Sequence, residues 1–339
     1  MSAVSILAYG AALPRLRLPA SEYRNAWGGC AASGLTQKAF CAYDEDPVTL
    51  AVAAARLACD RLACDRLGAA EPAFDALYVG ATTLPYEEKP SSASIVTALT
   101  GRRGVRVVEL RGSPQAGLQA LVAAAEFCKA NPGRTALAIA ADAPSAPPDM
   151  PYEHALGAAA AAFVLGRGPG VATLGDAAAC SLETFGSRFR RLGATGIADL
   201  ELRTQEDADA VAALAGMEAL PRGADVLACG LPPRAGAAAA KRLGAARADA
   251  VWPRLGDAGT ASAAVALADA LDRAAPGQRL LALAVGAGAI GVEVTATGCP
   301  EGRRAGPSVA DLLGGGTPVD YVAYLRHRRV LSSRLGDTA

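Results

Sequence analysis

The chain is 339 residues long, and 52% of its residues are apolar while 19% are charged. This length and this apolar content are sufficient for two core-forming units. Lys and Arg number 33, as do Asp and Glu, so the formal net charge is zero. The arginines are scattered and matched by carboxylates, whereas a nucleic-acid-binding protein carries a basic face. Nucleic acid is therefore not predicted as a partner.

The cysteines and histidines do not predict a metal site. The eight cysteines include no CxxC pair, and the only histidines are His154 and His327, so a zinc ligand set is not expected. We interpret Cys59 and Cys64, which fall on one predicted helix, as small buried residues in a reducing compartment. The N-terminus lacks the charged lead of a signal peptide, and the most apolar run, residues 280–292, is too short to cross a bilayer. These features predict a soluble, cytoplasmic protein without a membrane partner.

The first half of the chain alternates apolar runs with helical patterns. The run VSILAYGAALP predicts a strand that ends at Pro14, and Ser21 is the predicted N-cap of a short helix. Pro47 is predicted as the first residue of a longer helix. Further strands are predicted in FDALYVGATT, TALAIAADA and HALGAAAAAFVLG. Such alternation predicts a layered α/β unit.

The second half repeats this rhythm. ADVLACG predicts a strand, PPRAGAAAAKRLG and LGDAGTASAAVALADAL predict helices, and LLALAVGAGA with GVEVTAT predicts a terminal hairpin. We therefore predict a structural duplication with halves at 1–167 and 168–298. Residues 185–223 are charged and poorly periodic, and we interpret them as a cap or connecting region.

A linker and a C-terminal docking tail are predicted over 299–339. Tyr321, Tyr324 and Leu325 fall on one helical face of VDYVAYLRHRRVL, with four arginines nearby. A docking helix is the favoured interpretation, and a frayed surface tail is the alternative.

The stretch LRGSPQAGLQAL, residues 110–121, predicts a strand–turn–helix elbow. Many enzymes place a nucleophile at such a corner, because the first helical turn offers unpaired N–H groups and a partial positive charge. Here the corner holds Ser-Pro-Gln. Ser113 is the only hydroxyl available there, and we favour its interpretation as a helix cap over that of a nucleophile.

Several stretches together resemble the thiolase superfamily, and within it the prokaryotic hydroxymethylglutaryl-CoA synthase branch. They are AYGAALPRLRL, DEDPVTLAVAAAR, ALYVGATTLPYEEKPSSASIV, AGLQAL, GAAAAAFVLG, AAAAKRLG, GDAGTASAAVALADAL and DYVAYLRHRR. They cover most of the chain in the right order. The resemblance implies a five-layered αβαβα fold of two pseudo-duplicated halves and a homodimeric core. It also implies acyl-CoA ligands that reach a buried site through a narrow tunnel.

The resemblance further implies four catalytic positions, and this sequence departs from the family at each of them. The nucleophilic cysteine matches Pro114, and the glutamate before the PYxxKP loop matches Thr82. The histidine matches Cys229, and the asparagine or histidine of the later glycine loop matches Asp257. We therefore expect no catalytic residue here, with Ser113 as a weak candidate. Cys229 is interpreted as a small buried residue, and Asp257 as the cap of the following helix rather than a base.

No cofactor is predicted, but coenzyme A or an acyl-CoA is a candidate ligand. Lys89, Arg234 and Lys241 are candidates for contacts with the phosphates of coenzyme A, although ordinary surface positions are the alternative interpretation. The backbone N–H groups of the loop that contains Gly286 and Gly288 are candidates for an oxyanion hole.

An elbow without cysteine together with GDAGTAS also resembles the synthase-like subunit of bacterial multicomponent acetyltransferases. This resemblance implies two partners, a thiolase-like chain that carries the working cysteine and a separate OB-fold protein with a zinc ribbon. Three functions remain open: a non-catalytic subunit of an acyl-CoA condensing complex, a condensing acyltransferase of altered mechanism, and an acyl-CoA-binding scaffold. The first is favoured, because four catalytic positions are replaced together.

Overall fold

The computed structural model describes residues 3–63, 74–183, 188–198, 222–248, 250–298 and 305–331. Within these ranges the strands are β1 (Val4–Ala12), β2 (Leu16–Pro19), β3 (Gln37–Phe40), β4 (Ala76–Gly80), β5 (Arg106–Leu110), β6 (Ala136–Asp142), β7 (Ala159–Arg167), β8 (Ala172–Ser181), β9 (Val226–Ala228), β10 (Ala246–Arg247), β11 (Arg279–Gly286), β12 (Gly288–Ala296) and β13 (Thr317–Pro318). The helices are α1 (Ala20–Trp27), α2 (Pro47–Ala63), α3 (Ser91–Thr100), α4 (Ala116–Ala130), α5 (Pro151–Ala155), α6 (Pro233–Leu243), α7 (Trp252–Leu255), α8 (Ala261–Arg273), α9 (Val309–Gly314) and α10 (Tyr321–His327). The predicted α/β alternation is confirmed.

The large sheet is built from two groups of five strands with the same order and directions. The first group runs β1-β7-β6-β4-β5 and the second runs β8-β12-β11-β9-β10. In each group the first two neighbouring pairs are antiparallel and the last two are parallel. Pairing of β1 with β8 joins the groups into a ten-stranded sheet. The repeated topology is the structural duplication that the sequence predicts.

Alternate residues of the inner strands enter different apolar layers. On β6, Leu137 and Ile139 pack on the side of α2 and α3, whereas Ala136 and Ala138 pack on the side of α4 and α8. In the second half, Leu281 of β11 packs on the side of α6. Both faces of these strands are thus covered, which explains their continuous apolar sequences. The layers form the expected five-layered αβαβα architecture.

Two glycines allow close packing around helix α4, one against the start of α8 and one against the end of β4. A Cβ atom at Gly117 of α4 would lie 2.3 Å from the carbonyl oxygen of Thr260, just before α8. A Cβ atom at Gly80 would lie 2.1 Å from the carbonyl oxygen of Ala116. Any larger residue at these positions would displace backbone. The contacts therefore bring the elbow, the end of β4 and the start of α8 to one point.

The C-terminal helix α10 packs on the first half of the chain. Tyr321, Tyr324 and Leu325 are buried in a cluster with residues of α1, β2 and β3. Residues 299–304 of the predicted linker lie outside the described residues, as do 199–221 of the predicted connecting region. The boundaries of the two halves and of the tail stay predictions.

Three further findings concern sequence predictions. Ser21 is not the cap of α1, because the helix begins at Ala20 and Pro19 occupies the cap position. Among the described residues, no helix is long and apolar enough to span a membrane. The same part of the chain contains no group of three or more His, Cys, Asp or Glu side chains that could hold a metal ion.

Candidate functional site

The elbow lies between β5 and α4. Helix α4 begins at Ala116, so Pro114 stands in the turn before the helix rather than in its first turn. The backbone N–H of Gln115 donates to Ser113 Oγ at 3.3 Å, and the N–H of Ala116 donates to the Ser113 carbonyl oxygen at 3.0 Å. The Ser113 hydroxyl accepts a hydrogen bond within the turn, but Gln115 occupies the cap position of α4 and no side chain caps the helix. The prediction of Ser113 as the helix cap is therefore wrong.

The β11–β12 hairpin closes over this corner. A Cβ atom at Gly286 would lie 3.1 Å from Pro114 Cδ and 3.3 Å from Ser113 Cβ. Gln115 Nε2 donates to the carbonyl oxygen of Ala287 at 3.1 Å. Gly288 has φ of 107°, and a Cβ atom there would lie 2.0 Å from a backbone oxygen of β8. The predicted glycine loop is thus held against the elbow by close backbone packing.

Thr82 is bonded to a buried carboxylate that the sequence interpretation missed. Thr82 Oγ1 donates to Asp142 Oδ2 at 2.7 Å, and the Thr83 hydroxyl donates to Asp142 Oδ1. The N–H of Thr260 also donates to Asp142 Oδ2, at 3.1 Å. Asp142 is fully buried at the end of β6, and these donors compensate for its lost hydration. An acidic residue that ends the apolar run TALAIAAD is the signal that could have identified it.

Asp257 closes the turn before α8. Its Oδ1 accepts the N–H of Gly259 at 2.8 Å, and its Oδ2 forms an ion pair with Arg188. Its backbone N–H donates to the carbonyl oxygen of Ala155, and its carbonyl oxygen accepts the N–H of Gly157, both at 2.8 Å. The helix begins at Ala261 and Thr260 occupies its cap position, so the prediction of Asp257 as the helix cap is wrong. Asp257 therefore holds the preceding turn through its carboxylate and is bonded to a cation.

Cys229 is buried at the end of β9, where 2% of its surface is exposed. The next residue, Gly230, has φ of 59°, and a Cβ atom there would lie 2.6 Å from the carbonyl oxygen of Ser262. The thiol belongs to the apolar cluster beneath α6. This position agrees with the interpretation of Cys229 as a small buried residue and places it beside the first turn of α8.

The structure thus gathers all four matched positions around residues 257–262. Helix α4, which follows Pro114, packs through Gly117 on the carbonyl oxygen of Thr260. Thr82 and Thr260 both donate to Asp142. Gly230, which follows Cys229, packs on the carbonyl oxygen of Ser262. The placement of the four positions stays an implication of the resemblance. Their residue types supply no cysteine–histidine pair of the kind that acyl transfer uses.

Both histidines of the chain are bonded elsewhere. His154 Nδ1 accepts the N–H of Ala31 at 3.0 Å, and its ring stacks on Tyr23 with 4.0 Å between centroids. His327 Nδ1 accepts the N–H of Tyr43 at 3.2 Å. Burial lowers the pKa of His154, against the opposing charge of the neighbouring Glu153. Neither imidazole is placed to activate Ser113.

The candidate coenzyme A contacts lie on two different elements. Lys89 is exposed on the loop after β4, where its Nζ lies 4.3 Å from the centroid of the Tyr86 ring. Arg234 and Lys241 are exposed near opposite ends of α6, in the second half. The three residues are solvent-exposed and lie on two separate elements.

A loop over residues 188–198 places two arginines at the matched positions. Arg188 pairs with Asp257, and Arg190 Nη2 donates to the carbonyl oxygen of Thr82 at 2.6 Å. This loop belongs to the stretch interpreted from sequence only as a cap or connecting region. Nothing in its local sequence indicates these partners, because they are far away along the chain.

A second buried polar cluster, which the sequence interpretation also missed, anchors α10. Lys38 and Glu153 are both fully buried, with 3.3 Å between Lys38 Nζ and Glu153 Oε1. Lys38 Nζ also donates to Tyr324 Oη at 3.0 Å, and Tyr23 Oη donates to Glu153 Oε1 at 2.6 Å. Burial lowers the pKa of Lys38 to about 8, although the Glu153 charge opposes the shift. The cluster connects β3, α1, α5 and α10.

Comparison with known proteins supports the resemblance. No protein-family model matches the chain. It is 28% identical to the hydroxymethylglutaryl-CoA synthase of Methanosarcina mazei over 346 residues, which cover 96% of this chain and 98% of the relative. It is 32% identical to the synthase of Caldivirga maquilingensis over 169 residues, or 48% of this chain and 47% of the relative.

Solved structures resemble the whole chain. MvaS in complex with 3-hydroxy-3-methylglutaryl coenzyme A superposes with a TM-score of 0.77 at 20% identity, covering 100% of this chain and 94% of that one. The 3-oxoacyl-(acyl carrier protein) synthase III of Pseudomonas aeruginosa superposes with a TM-score of 0.73 at 18% identity, covering 87% and 98%. At such low identities these structures show the fold alone.

The chain has the thiolase fold, with two repeated five-stranded groups, a shared layer of central helices and an elbow at the start of α4. By sequence, the chain is similar to hydroxymethylglutaryl-CoA synthases over almost its whole length.

Proposed function

We propose that this protein is a non-catalytic, hydroxymethylglutaryl-CoA synthase-like subunit of an acyl-CoA acyltransferase or condensing complex. One observation carries the proposal: the four matched positions converge, yet they hold Pro114, Thr82, Cys229 and Asp257. Acyl transfer through a covalent intermediate needs a nucleophile with a base within hydrogen-bond reach. A fold that is kept while this pair is missing is typical of a supporting subunit.

The donors at the convergence point are also occupied by the chain itself. The N–H of Ala258 donates to Ser262 Oγ at 2.9 Å, and that of Gly259 donates to the Asp257 carboxylate at 2.8 Å. The N–H of Thr260 donates to Asp142 at 3.1 Å. Oxyanion stabilisation requires preorganised donors aimed at the developing charge. Here the donors before α8 already have internal acceptors, which supports a site without chemistry.

The proposed partners are a thiolase-like catalytic chain and an OB-fold protein with a zinc ribbon. The zinc ribbon is assigned to a separate chain because the cysteines of this chain include no CxxC pair. A homodimeric core is proposed as well. Strand β5 supports it, since it is the last strand of its group and its residues after Arg106 are half-buried. An edge strand of this kind presents backbone groups to a second chain.

Binding of coenzyme A or an acyl-CoA is the second candidate function. It is favoured by the structural neighbours, which include MvaS with 3-hydroxy-3-methylglutaryl coenzyme A and a hydroxymethylglutaryl-CoA synthase complexed with CoA. The solvent-facing Lys89, Arg234 and Lys241 are the proposed phosphate contacts. On this proposal the chain retains a ligand-binding fold without turnover.

Intact-mass measurement after incubation with acetyl-CoA tests the proposed function. We expect no acetyl adduct on the isolated chain and no formation of hydroxymethylglutaryl-CoA from acetyl-CoA and acetoacetyl-CoA. Ser113→Ala and Cys229→Ala serve as controls that locate any adduct. A stable adduct on the wild type that either substitution abolishes would overturn the non-catalytic assignment and favour a condensing enzyme of altered mechanism.

A further inference from the structure

We propose that residues 188–198 form an internal arginine plug that excludes acyl-CoA from the site around Asp257. The proposal deepens the proposed function and rests on it, because it states how a synthase-like site is kept closed. The plug consists of an anchored base and two guanidinium groups.

The base of the loop is fixed to the first half of the chain. Phe189 and Ala198 exchange backbone hydrogen bonds of 2.9 and 2.8 Å, which closes the loop. The N–H of Ile197 donates to the carbonyl oxygen of Ser145 at 2.6 Å, and the Ile197 side chain is buried in an apolar cluster with Leu156. Leu156 in turn forms an isolated parallel β-bridge with Asp257. The base of the loop is therefore fixed next to Asp257.

The arm of the loop carries Arg188 and Arg190. Arg188 has a positive φ of 22°, so the two residues do not form a regular strand, and their directions are known from their contacts. One guanidinium pairs with the Asp257 carboxylate, and the other donates to the carbonyl oxygen of Thr82. The loop thus connects two of the four matched positions through its own side chains.

The charge at Asp257 explains why this site recruits a cation. An asparagine or histidine, which the family places at this position, needs no counter-ion when neutral. An aspartate there is charged, and its side chain and that of Arg188 are only 23% and 22% exposed. Pairing a partly buried carboxylate with a guanidinium is a strong, charge-assisted interaction. On this proposal, the Arg188 guanidinium occupies the position beside Asp257 that a ligand would otherwise take.

An acyl-CoA must displace Arg188 to reach Asp257, and displacement leaves that carboxylate without its cation. The free energy needed to separate this ion pair reduces the affinity for acyl-CoA without altering the remainder of the fold. Removing either partner releases the plug. The substitution Arg188→Gln removes the cation, and Asp257→Asn removes the charge that holds it.

Titration calorimetry with acetyl-CoA on the full chain tests the plug. We expect Arg188→Gln and Asp257→Asn each to bind acetyl-CoA at least about tenfold more tightly than the wild type, or about 1.4 kcal/mol. Arg191→Gln is the matched control, because Arg191 is exposed in the same loop and its substitution makes the same charge change. Arg191→Gln should bind acetyl-CoA with the affinity of the wild type. The double variant Arg188→Gln with Asp257→Asn should gain no more affinity than either single variant.

Equal affinity of the wild type and both single variants, with unchanged circular dichroism spectra, would overturn the plug. A purely structural role of Arg188 would lower the unfolding midpoint and leave the affinity for acetyl-CoA where it was. An acetyl adduct on the wild type would instead overturn the proposed function. The two failures therefore give different results.

Discussion

The buried Lys38–Glu153 pair gives a quantitative test of how α10 is held. The substitution Glu153→Gln keeps the size and shape of the side chain but removes its charge. It leaves the ammonium of Lys38 fully buried with Tyr324 Oη and the backbone oxygen of residue 153 as acceptors. The carboxylate, 3.3 Å away in the wild type, no longer opposes the cost of burying that charge.

The expected loss can be estimated from the chemistry of buried pairs. Removing one partner of a buried ion pair costs about 3–5 kcal/mol, because the other charge remains uncompensated. The glutamine oxygen can still accept a hydrogen bond from Tyr23, so we expect the lower end, about 3 kcal/mol at pH 6. The double variant Lys38→Met with Glu153→Gln should be less destabilised than Glu153→Gln alone, because it leaves no buried ammonium.

The pH dependence has a defined sign. The pKa of Lys38 is lowered by burial from its ordinary value of 10.5 to about 8. Between these values the unfolded chain binds more protons than the folded one, so this group makes stability rise with pH. In Glu153→Gln the opposing carboxylate charge is lost, and the pKa of Lys38 falls further. The deficit of the variant against the wild type should therefore be largest at pH 6 and should shrink as pH rises to 9.

Urea unfolding followed by circular dichroism at pH 6 and pH 9 measures these free energies. Tyr321→Phe is the control, since it removes a 3.4 Å hydrogen bond to the same carboxylate and leaves both buried charges in place. We expect it to cost about 1 kcal/mol or less at both pH values. Two results would contradict this prediction. The first is a free energy of unfolding of Glu153→Gln within about 1 kcal/mol of the wild-type value at pH 6. The second is a difference in free energy of unfolding that does not change with pH.

Three further predictions concern the site and its scaffold. Pro114→Cys should fold and yet form no hydroxymethylglutaryl-CoA, because the matched base positions are also replaced; measurable product in a spectrophotometric assay would contradict this. Gly117→Ala should lower the free energy of unfolding by about 2 kcal/mol or more in urea titrations, since its Cβ would lie 2.3 Å from the carbonyl oxygen of Thr260. Asp142→Asn should lower the free energy of unfolding by about 2 kcal/mol, because its amide would face the hydroxyl and N–H donors around it. Asp176→Asn is the control, because Asp176 is exposed and its substitution should not change stability. Equal unfolding midpoints for these two variants would argue against the role of Asp142.

The fold could be predicted largely because its signals are local. Strands that are buried on both faces read as continuous apolar runs, and the helices between them begin at residues such as Pro47. The elbow and the hairpin are likewise contained in short segments. The wrong assignment of Ser21 as a cap shows the limit of such reasoning, since the cap position lies two residues earlier, at Pro19. Boundaries depend on backbone geometry that composition alone does not specify.

The polar architecture of the site could not be predicted in the same way. Asp142 meets Thr260 across 118 residues, and Arg188 meets Asp257 across 69. Lys38 meets the Glu153 carboxylate across 115 residues. None of these pairs has a spacing that a helix or a strand would impose. They exist only because the tertiary fold brings distant segments together, and a single sequence contains no pattern that records such contacts.

The packing around the elbow also explains how its geometry can persist without its chemistry. The elbow is held by Gly80 against Ala116, by Gly117 against Thr260, and by Gly286 against Pro114. Each of these contacts involves backbone or a proline ring, and none requires a catalytic side chain. A cysteine at the corner would therefore add reactivity without adding packing that the fold needs. On the proposed function, loss of the nucleophile removes the reaction and leaves intact the surfaces through which a subunit supports its partners.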